Sequence, residues 1–259
     1  TKYQPLPPGI QRPPDDPRFA AKSGDGPEYP TTAEEAKKAG YITLKGGGYL
    51  FERREGGKTV QGVVVPGTII MTQGLIELFG CGEAGKVHES VIRMDCDIHS
   101  LDMALGLAEL KRGRIPQQLA TPDPEAGSRV VILVQWKEGE GKVLTYRAED
   151  LIIHAKRESL MPRVGWTYVG NFFEREDPTS TSTQKKTHRI LAASGTHSLM
   201  TTWRDPSALF DNPIPDAVDD TVYAANWMVL PPAGMKVRVI IRPPNDEEQK
   251  EIESVERSL

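Results

Sequence analysis

Apolar and polar positions alternate over most of this chain, and the alternation predicts a protein built largely from β-strands. Glycine-containing turns at residues 46–48, 56–57 and 139–141 separate runs that are rich in β-branched and aromatic residues. The clearest hairpin joins residues 129–136 to residues 143–148. Further strands are predicted within residues 41–65, 69–71, 75–79, 161–173, 190–203, 222–230 and 235–241.

Two segments have helical rather than strand-like spacing. Residues 97–110 place Leu101, Leu105 and Ala108 at helical intervals. Residues 32–40 start at a capping Thr, carry acidic residues in the first turn and basic residues in the last, and end at a glycine. The sequence therefore predicts an α+β fold: a mostly antiparallel, twisted β-sheet arrangement with one or more packed helices and extended termini.

The two ends of the chain differ in composition from its middle. The first thirty residues contain eight prolines, which disfavour helix and favour extended conformations. We predict a Pro-rich arm at residues 1–31, one α+β body at residues 32–243 and a charged, weakly helical tail at residues 244–259. Besides a partly ordered tail, the arm has two possible uses. It is either a spacer between an envelope anchor and the body, or a contact element that lies on its own domain or on a partner.

Composition excludes several classes of function. The 32 basic and 36 acidic residues give a net charge of -4 without a long block of either sign, so nucleic acid is not an expected partner. No apolar run approaches the roughly 18 residues that a transmembrane segment needs. Cys81 and Cys96 are too few for a disulfide framework and lack the paired spacing of a zinc or iron–sulfur site. No cofactor is predicted, and a single bridge between the two cysteines stays possible.

The chain begins with Thr1 rather than Met, as a chain does once a leader has been removed. A signal peptide is one such leader. We therefore expect the protein to be periplasmic or extracellular.

Reactive side chains are densest at residues 81–90, which connect two apolar runs. Such loops on rigid scaffolds often carry binding and catalytic groups. Our candidate catalytic residues are Cys81 as a thiolate or ligand, His88 as an acid–base group or ligand, and Glu89 as the group that orients His88. Our candidate ligand-binding residues are Lys86, Ser90, His99 and Asp102.

Each candidate also has a plainer structural explanation. A free Cys such as Cys81 is commonly a small buried side chain at a strand end, although a nearby imidazolium and Lys86 would lower the pKa of its thiol. Lys86 in a glycine-rich turn predicts either an anion-binding nest or a solvated turn. His88 and Glu89 would face opposite sides of the sheet if a strand continued through them, so a shared site requires the chain to bend there.

Two further arrangements are weaker. A zinc or copper site is conceivable from Cys81, His88 and His99 with Asp102 or Glu89, but no pair has the tight spacing of a structural zinc motif, and no metal ligand is assigned. Residues 194–198 surround an imidazole with hydroxyl groups without forming the strand–turn–helix elbow of hydrolases.

Several segments resemble the YdjY-like domain family. They are Gly-Leu-Ile-Glu-Leu-Phe-Gly-Cys at residues 74–81, Lys-Val-His-Glu-Ser-Val-Ile at 86–92, the helix at 102–105, and residues 130–136, 146–149, 166–171 and 206–213. The likeness covers roughly residues 45–242. The family has no established activity, and many members are exported proteins of planctomycete-type bacteria. Some relatives resemble fusions to ferredoxin-type segments, whose cysteine array is absent here, and Asp102 stands where relatives often carry His.

The resemblance and the residues together lead to one expected function and its alternatives. We expect an exported binding or interaction module of the cell envelope with an unknown ligand, which contacts another envelope protein or a second copy through the N-terminal arm. The alternative is an enzyme or redox accessory protein that uses residues 81–89, with or without a metal ion.

Overall fold

The computed structural model of the protein describes residues 20–21, 23–24, 26–55, 57–114, 126–139, 141–176 and 187–259. Most of the predicted arm, residues 1–19, lies outside this range. The strands are β1 Ile42–Thr43, β2 Tyr49–Glu55, β3 Lys58–Ile69, β4 Leu78–Cys81, β5 Ser90–Met94, β6 Arg129–Glu138, β7 Lys142–Arg147, β8 Ile152–His154, β9 Ser159–Leu160, β10 Trp166–Tyr168, β11 Phe172–Glu176, β12 Thr187–Leu191, β13 Ser198–Thr201, β14 Phe210–Asp211, β15 Tyr223–Ala225 and β16 Lys236–Arg242. The helices are α1 Ala33–Lys38, α2 Ile98–Leu107, α3 Ala192–Thr196 and α4 Asp246–Glu256.

Eight of these strands form a closed ring. Each is hydrogen-bonded to the next in the order β3, β16, β6, β10, β14, β13, β4 and β5, and β5 returns to β3. The β13–β14 and β4–β5 pairs are parallel, whereas the other ring pairs are antiparallel. The main apolar core includes Val65, Phe79, Ile92, Ile132, Trp166, Phe210 and Val239. The predicted α+β class with a mostly antiparallel sheet is confirmed.

The long strands β3 and β6 each use one edge for two partners. Residues 58–64 of β3 pair with β2, and residues 67–69 pair with β5. Residues 129–130 of β6 pair with β10, and residues 133–138 pair with β7. One sheet therefore extends beyond the ring. Its strands lie in the order β2, β3, β16, β6 and β7. A second, smaller apolar cluster of Tyr29, Ala36, Tyr49, Phe51, Val64 and Ile240 includes side chains from this sheet, and we call the side on which it lies the outer face.

Helices α1 and α2 begin where the sequence predicts. Thr32 and Glu35 form a capping box at α1, and the Asp97 carboxylate accepts a hydrogen bond from the Ser100 amide at the start of α2. The apolar face of α2 buries Leu101 and Leu105 in the main core. Within the described residues, no helix combines the length and apolar character needed to cross a membrane.

Both ends of the described chain contact the body. Ser23 and Gly24 hydrogen-bond to Thr145 of β7, residues 27–30 cross the outer face from β6 to β2, and α1 follows them. The C-terminal helix α4 buries Ile252 and forms ion pairs with basic side chains of the body: Arg242 with Glu248, Arg163 with Glu251 and Arg129 with Glu256. The division of the chain at residues 31 and 243 stays a prediction.

One predicted strand is interrupted. Helix α3 divides the strand that was predicted at residues 190–203. It begins with alanines at 192–193, makes one helical turn and is followed by His197 in the left-handed conformation, with φ 57°. The strand predicted at residues 222–230 is also shorter, because β15 ends at Ala225.

Candidate functional site

The connection at residues 81–90 is a tight turn followed by a short helix. Strand β4 ends at Cys81, a 3-10 helix covers Val87–Glu89, and β5 begins at Ser90. His197 packs against the turn from α3, and its carbonyl accepts a hydrogen bond from the Gly82 amide at 2.8 Å. A Cβ atom at Gly82 would lie 2.7 Å from Nδ1 of His197, and one at Gly85 would lie 2.8 Å from Cβ of Cys81. The two glycines are therefore required by packing within the chain.

Cys81 is a buried thiol rather than an activated one. Its residue is 0% exposed, and burial raises the pKa of the thiol, while the nearby Ser90 hydroxyl and Arg93 oppose that shift only in part. Burial disfavours the thiolate, whereas the candidate role of Cys81 as a thiolate would require a lowered pKa. Burial likewise raises the pKa of Cys96 to about 12. Both cysteines are free, so they do not form the bridge that the sequence left open.

Lys86, His88 and Glu89 lie together at the surface. The Lys86 ammonium contacts the Glu77 carboxylate, lies 3.9 Å from Glu89 and is 5.6 Å from the centre of the Trp203 ring. The hydrogen bond to Glu77 raises the pKa of Lys86. Nε2 of His88 is 3.5 Å from Oε1 of Glu89, since the 3-10 turn brings together two side chains that a strand would separate.

The three candidate catalytic residues do not share an accessible cleft. The His88 side chain is 68% exposed, whereas Cys81 is sealed in the core. The Ser90 hydroxyl donates a hydrogen bond to the Lys86 carbonyl at 2.7 Å. Ser90 thus connects the turn to β5 in addition to lying near the thiol.

His99 and Asp102 separate on α2. His99 is exposed, whereas Asp102 is buried beneath Arg112 and accepts a hydrogen bond from the Tyr168 hydroxyl at 2.5 Å. Burial and this carboxylate raise the pKa of Tyr168. Among the residues that the structure describes, no group of three or more His, Cys, Asp or Glu side chains is placed to hold a metal ion.

A buried imidazole that the sequence did not single out is engaged at both nitrogens. Nε2 of His154 is 2.9 Å from the Asp216 carboxylate, and Nδ1 accepts a hydrogen bond from the Arg157 amide at 3.2 Å. With Nδ1 accepting, Nε2 carries the proton and donates to Asp216. This pair has the contacts of a structural link rather than those of an acid–base group.

The outer face contains a site for an extended segment that the candidate list missed. Gln135 of β6 is 0% exposed, and its carboxamide accepts from the Tyr29 amide and donates to the Pro27 carbonyl, both at 3.0 Å. Arg238 of β16 is also buried and donates to the Tyr29 carbonyl. The Tyr49 hydroxyl donates to the Pro30 carbonyl at 3.0 Å. We call this set, Tyr49, Gln135 and Arg238, the arm site.

Tyr29 is the anchor of the arm in this site. Its side chain is 2% exposed and packs edge-on against Phe51, with ring centres 5.2 Å apart. The Arg53 guanidinium lies 4.4 Å from the centre of the Tyr29 ring. Glu28 beside it pairs with Lys137 at 2.6 Å and lies 3.8 Å from Arg238. At the other end of the segment, Gly24 donates to the Thr145 carbonyl at 2.7 Å.

The sequence did contain a signal for the arm site. Gln135 and Arg238 interrupt two of the most apolar runs, Val-Val-Ile-Leu-Val-Gln-Trp and Val-Arg-Val-Ile-Ile. A polar residue inside a buried strand needs a partner, because an unpaired buried polar group is costly. The partner here is the main chain of the arm.

Comparison with known proteins gives one match. Neither a curated protein nor a solved structure matches the chain significantly. The model of the YdjY domain matches residues 58–242, which include the ring strands, Gln135 and Arg238. This match covers well over half of the chain and agrees with the resemblance seen in the sequence, and the chain therefore belongs to the YdjY domain family.

Proposed function

We propose that this protein is a non-enzymatic binding module of the cell envelope, and that its outer sheet face recognises an extended segment of polypeptide. One observation carries the proposal: the buried side chains Gln135 and Arg238 make three hydrogen bonds to main-chain groups of residues 27–29, and Gln135 donates a further one to the Thr145 hydroxyl of β7. Main-chain groups are common to every peptide. A site built in this way selects an extended backbone first and side chains second.

Side-chain preference comes from the anchor and its neighbours. Tyr29 fills an aromatic pocket, and large aromatic anchors supply much of the affinity at binding surfaces. Pro27 and Pro30 restrict the segment to extended conformations before it binds, which lowers the entropy lost on binding. Lys137 and Arg238 favour an acidic residue such as Glu28 next to the anchor.

The domain and the arm contribute separate halves of the contact. Gln135 and Arg238 lie within the matched family domain, whereas residues 27–30 precede it. The arm therefore occupies the site from within its own chain. A partner with a similar acidic, tyrosine-containing segment, or the arm of a second copy, would compete with it for the same contacts.

The structure supports this function better than a thiol-dependent one. Cys81 is buried with a raised pKa, and His88 lies at the surface without access to its sulfur. Location in the periplasm or outside the cell is an expectation from the family resemblance, and fractionation of cells that express the native protein tests it.

Competition between the arm and a free peptide tests the binding function. In the full-length variant Tyr29→Ala the arm loses its anchor, so a fluorescent peptide of residues 23–32 should bind, whereas wild-type protein should bind it at least tenfold more weakly. A peptide with Ala in place of Tyr should also lose at least about tenfold in affinity.

A second substitution in the Tyr29→Ala background tests whether peptide binding depends on the arm site in particular or on the arginines of the sheet in general. Tyr29→Ala combined with Arg238→Met should lose peptide binding, and Tyr29→Ala combined with Arg54→Met, at an exposed arginine on β2, should retain it. Absence of peptide binding to a folded Tyr29→Ala variant, or equal binding with and without Arg238, would contradict the proposal.

A further inference from the structure

Helix α2 carries an apolar stripe that nothing in the described chain covers. Met103 and Leu107 are 65% and 64% exposed, and His99 lies one turn before Met103 on the same side. Leu101, Ala104 and Leu105 fill the core from the opposite side. We call His99, Met103, Gly106 and Leu107 the α2 surface. Met103 and Leu107 are four residues apart, so their exposed side chains are neighbours on one side of the helix, and adjoining exposed apolar side chains are a feature of interaction sites.

No contact within the described chain explains why residue 106 is a glycine. A Cβ atom added at this position would meet no described atom within 4 Å, so intramolecular packing does not require glycine. The left-handed residue that ends the helix is Glu109, with φ 61°, so chain reversal does not require Gly106 either. Glycine is unfavourable inside a helix. A glycine on the exposed side does, however, allow a second backbone to approach closely.

The two ends of α2 differ in charge. Asp95 and Asp97 precede the helix, whereas Lys111, Arg112 and Arg114 follow it. Asp95 lies 3.5 Å from Arg93, and Arg112 contacts Asp102. Lys111 is exposed, as is Glu109 beside it. The segment before the helix carries Asp95 and Asp97 against one base, Arg93, and the segment after it carries three bases against one acid, Glu109, so the first segment is net acidic and the second is net basic.

We propose that the α2 surface is an interface between two copies of this chain, with their α2 helices packed antiparallel about a two-fold axis near Met103. This arrangement brings Met103 against Met103 of the second copy and His99 against Leu107 of the second copy. It also brings the acidic end of each helix to the basic end of the other. A two-fold interface requires such a self-complementary surface.

Gly106 favours a protein partner over a lipid bilayer. Close approach of two helix axes depends on small side chains at the contact, whereas a bilayer surface makes no such demand. An anionic bilayer would attract Lys111 and Arg114 but would repel Asp95 and Asp97. The charge pattern therefore fits a second copy better.

The association of the full-length protein tests the apolar part of the interface. Sedimentation equilibrium should show a reversible dimer whose dissociation constant rises at least tenfold in Met103→Ser/Leu107→Ser and in Gly106→Leu. The matched control is Ile42→Ser/Val218→Ser, because these side chains are 60% and 64% exposed elsewhere, and it should leave the dimer unchanged. Circular dichroism confirms that each variant is folded.

A charge exchange tests the antiparallel arrangement. Asp95→Lys and Lys111→Asp should each weaken the dimer by at least threefold, and the double variant should recover most of the loss, since the antiparallel arrangement brings the segment before one helix to the segment after the other. A chain that stays monomeric, a dimer that the α2 variants leave intact, or a double variant no better than the singles would overturn the proposal. It would also be overturned if the chain were monomeric and Met103→Ser/Leu107→Ser abolished sedimentation with phosphatidylglycerol vesicles.

This inference is independent of the arm site. Tyr29→Ala should leave the dimer unchanged, and Met103→Ser/Leu107→Ser should leave peptide binding unchanged. Each of the two proposals can therefore fail alone.

Discussion

The outer face and the connection at residues 81–90 contrast in how their chemistry is arranged. The connection concentrates a thiol, an ammonium, an imidazole and two carboxylates within ten residues, yet the fold buries the thiol and leaves the imidazole in solvent. The outer face draws Tyr29, Gln135 and Arg238 from three distant parts of the sequence and joins them by hydrogen bonds. Closeness in the sequence therefore did not show which side chains share a site. Polar residues within apolar strands, such as Gln135 and Arg238, were the better indicator.

Removal of the Tyr29 side chain should have the largest effect on stability among the variants that test this comparison. Tyr29→Ala empties a buried aromatic pocket and should lower the free energy of unfolding of the outer-face cluster by about 3 kcal/mol. Urea unfolding, together with hydrogen exchange at α1, measures it. Phe173→Ala removes a ring that is half exposed and should cost less than about 1 kcal/mol. Equal costs for the two variants would show that the arm is not anchored by Tyr29.

Replacement of Gln135 should have the next largest effect. Gln135→Leu keeps the size of the side chain but removes the partner of the Tyr29 amide and the Pro27 carbonyl, and a hydrogen bond to the Thr145 hydroxyl, which should cost about 2 kcal/mol. Gln249→Leu, at an exposed position on α4, should change the free energy of unfolding by no more than about 0.5 kcal/mol. A stabilised Gln135→Leu variant would mean that the carboxamide is a poor partner for the arm.

The buried thiols predict how stability changes with pH. Because burial raises the thiol pKa of Cys81 and Cys96, the folded protein keeps protons that the unfolded chain releases above about pH 8.5. Stability should therefore fall as pH rises from about 8.5 to 9.5, by no more than about 1.4 kcal/mol per pH unit for each thiol. Urea unfolding across this range measures the slope, and Cys81→Ala should reduce it.

The reactivity of Cys81 provides a second measurement on the same group. A thiol-selective reagent at pH 7.5 should modify Cys81 in the folded protein much more slowly than it modifies a free cysteine. Rapid modification of folded protein at Cys81, or stability that rises above pH 8.5, would contradict the buried-thiol description.

The smallest effects are expected at the surface groups of the connection. His88→Ala and Lys86→Met should each change the free energy of unfolding by less than about 1 kcal/mol, because exposed ion pairs contribute little. Neither substitution should alter binding of the arm peptide to the Tyr29→Ala variant. A loss of peptide binding in either variant would show that the connection at residues 81–90 influences the outer face.

Much of the fold follows from local sequence. The hairpin of β6 and β7 and the helices α1 and α2 were predicted within a few residues of their bounds, because alternation, turn glycines and helix caps act over short distances. Helix α3 was missed, since its single turn depends on how His197 packs against Gly82. Closure of the strand ring was not predicted either. It depends on pairs such as β3 with β16, which lie far apart in the sequence.

Less of the candidate site could be predicted. Residue types and spacing identified the dense connection and offered a buried thiol at a strand end as the plainer explanation of Cys81, but they did not decide between that explanation and an activated thiol, and they did not give the short 3-10 turn that joins His88 to Glu89. Both depend on contacts from other elements. Gln135 and Arg238 were visible as polar residues within apolar strands. Their partner could not be identified until the path of the arm was known.

The position of β16 in the ring has a consequence for biosynthesis. This strand is the last of the ring strands in sequence order, yet it lies between β3 and β6 and pairs with both. A nascent chain therefore exposes an edge of β3 and an edge of β6 until β16 has left the ribosome. Unpaired edges promote aggregation. A premature stop shortly before residue 236 should thus yield an aggregation-prone product, although nearly all of the ring strands would already have been made.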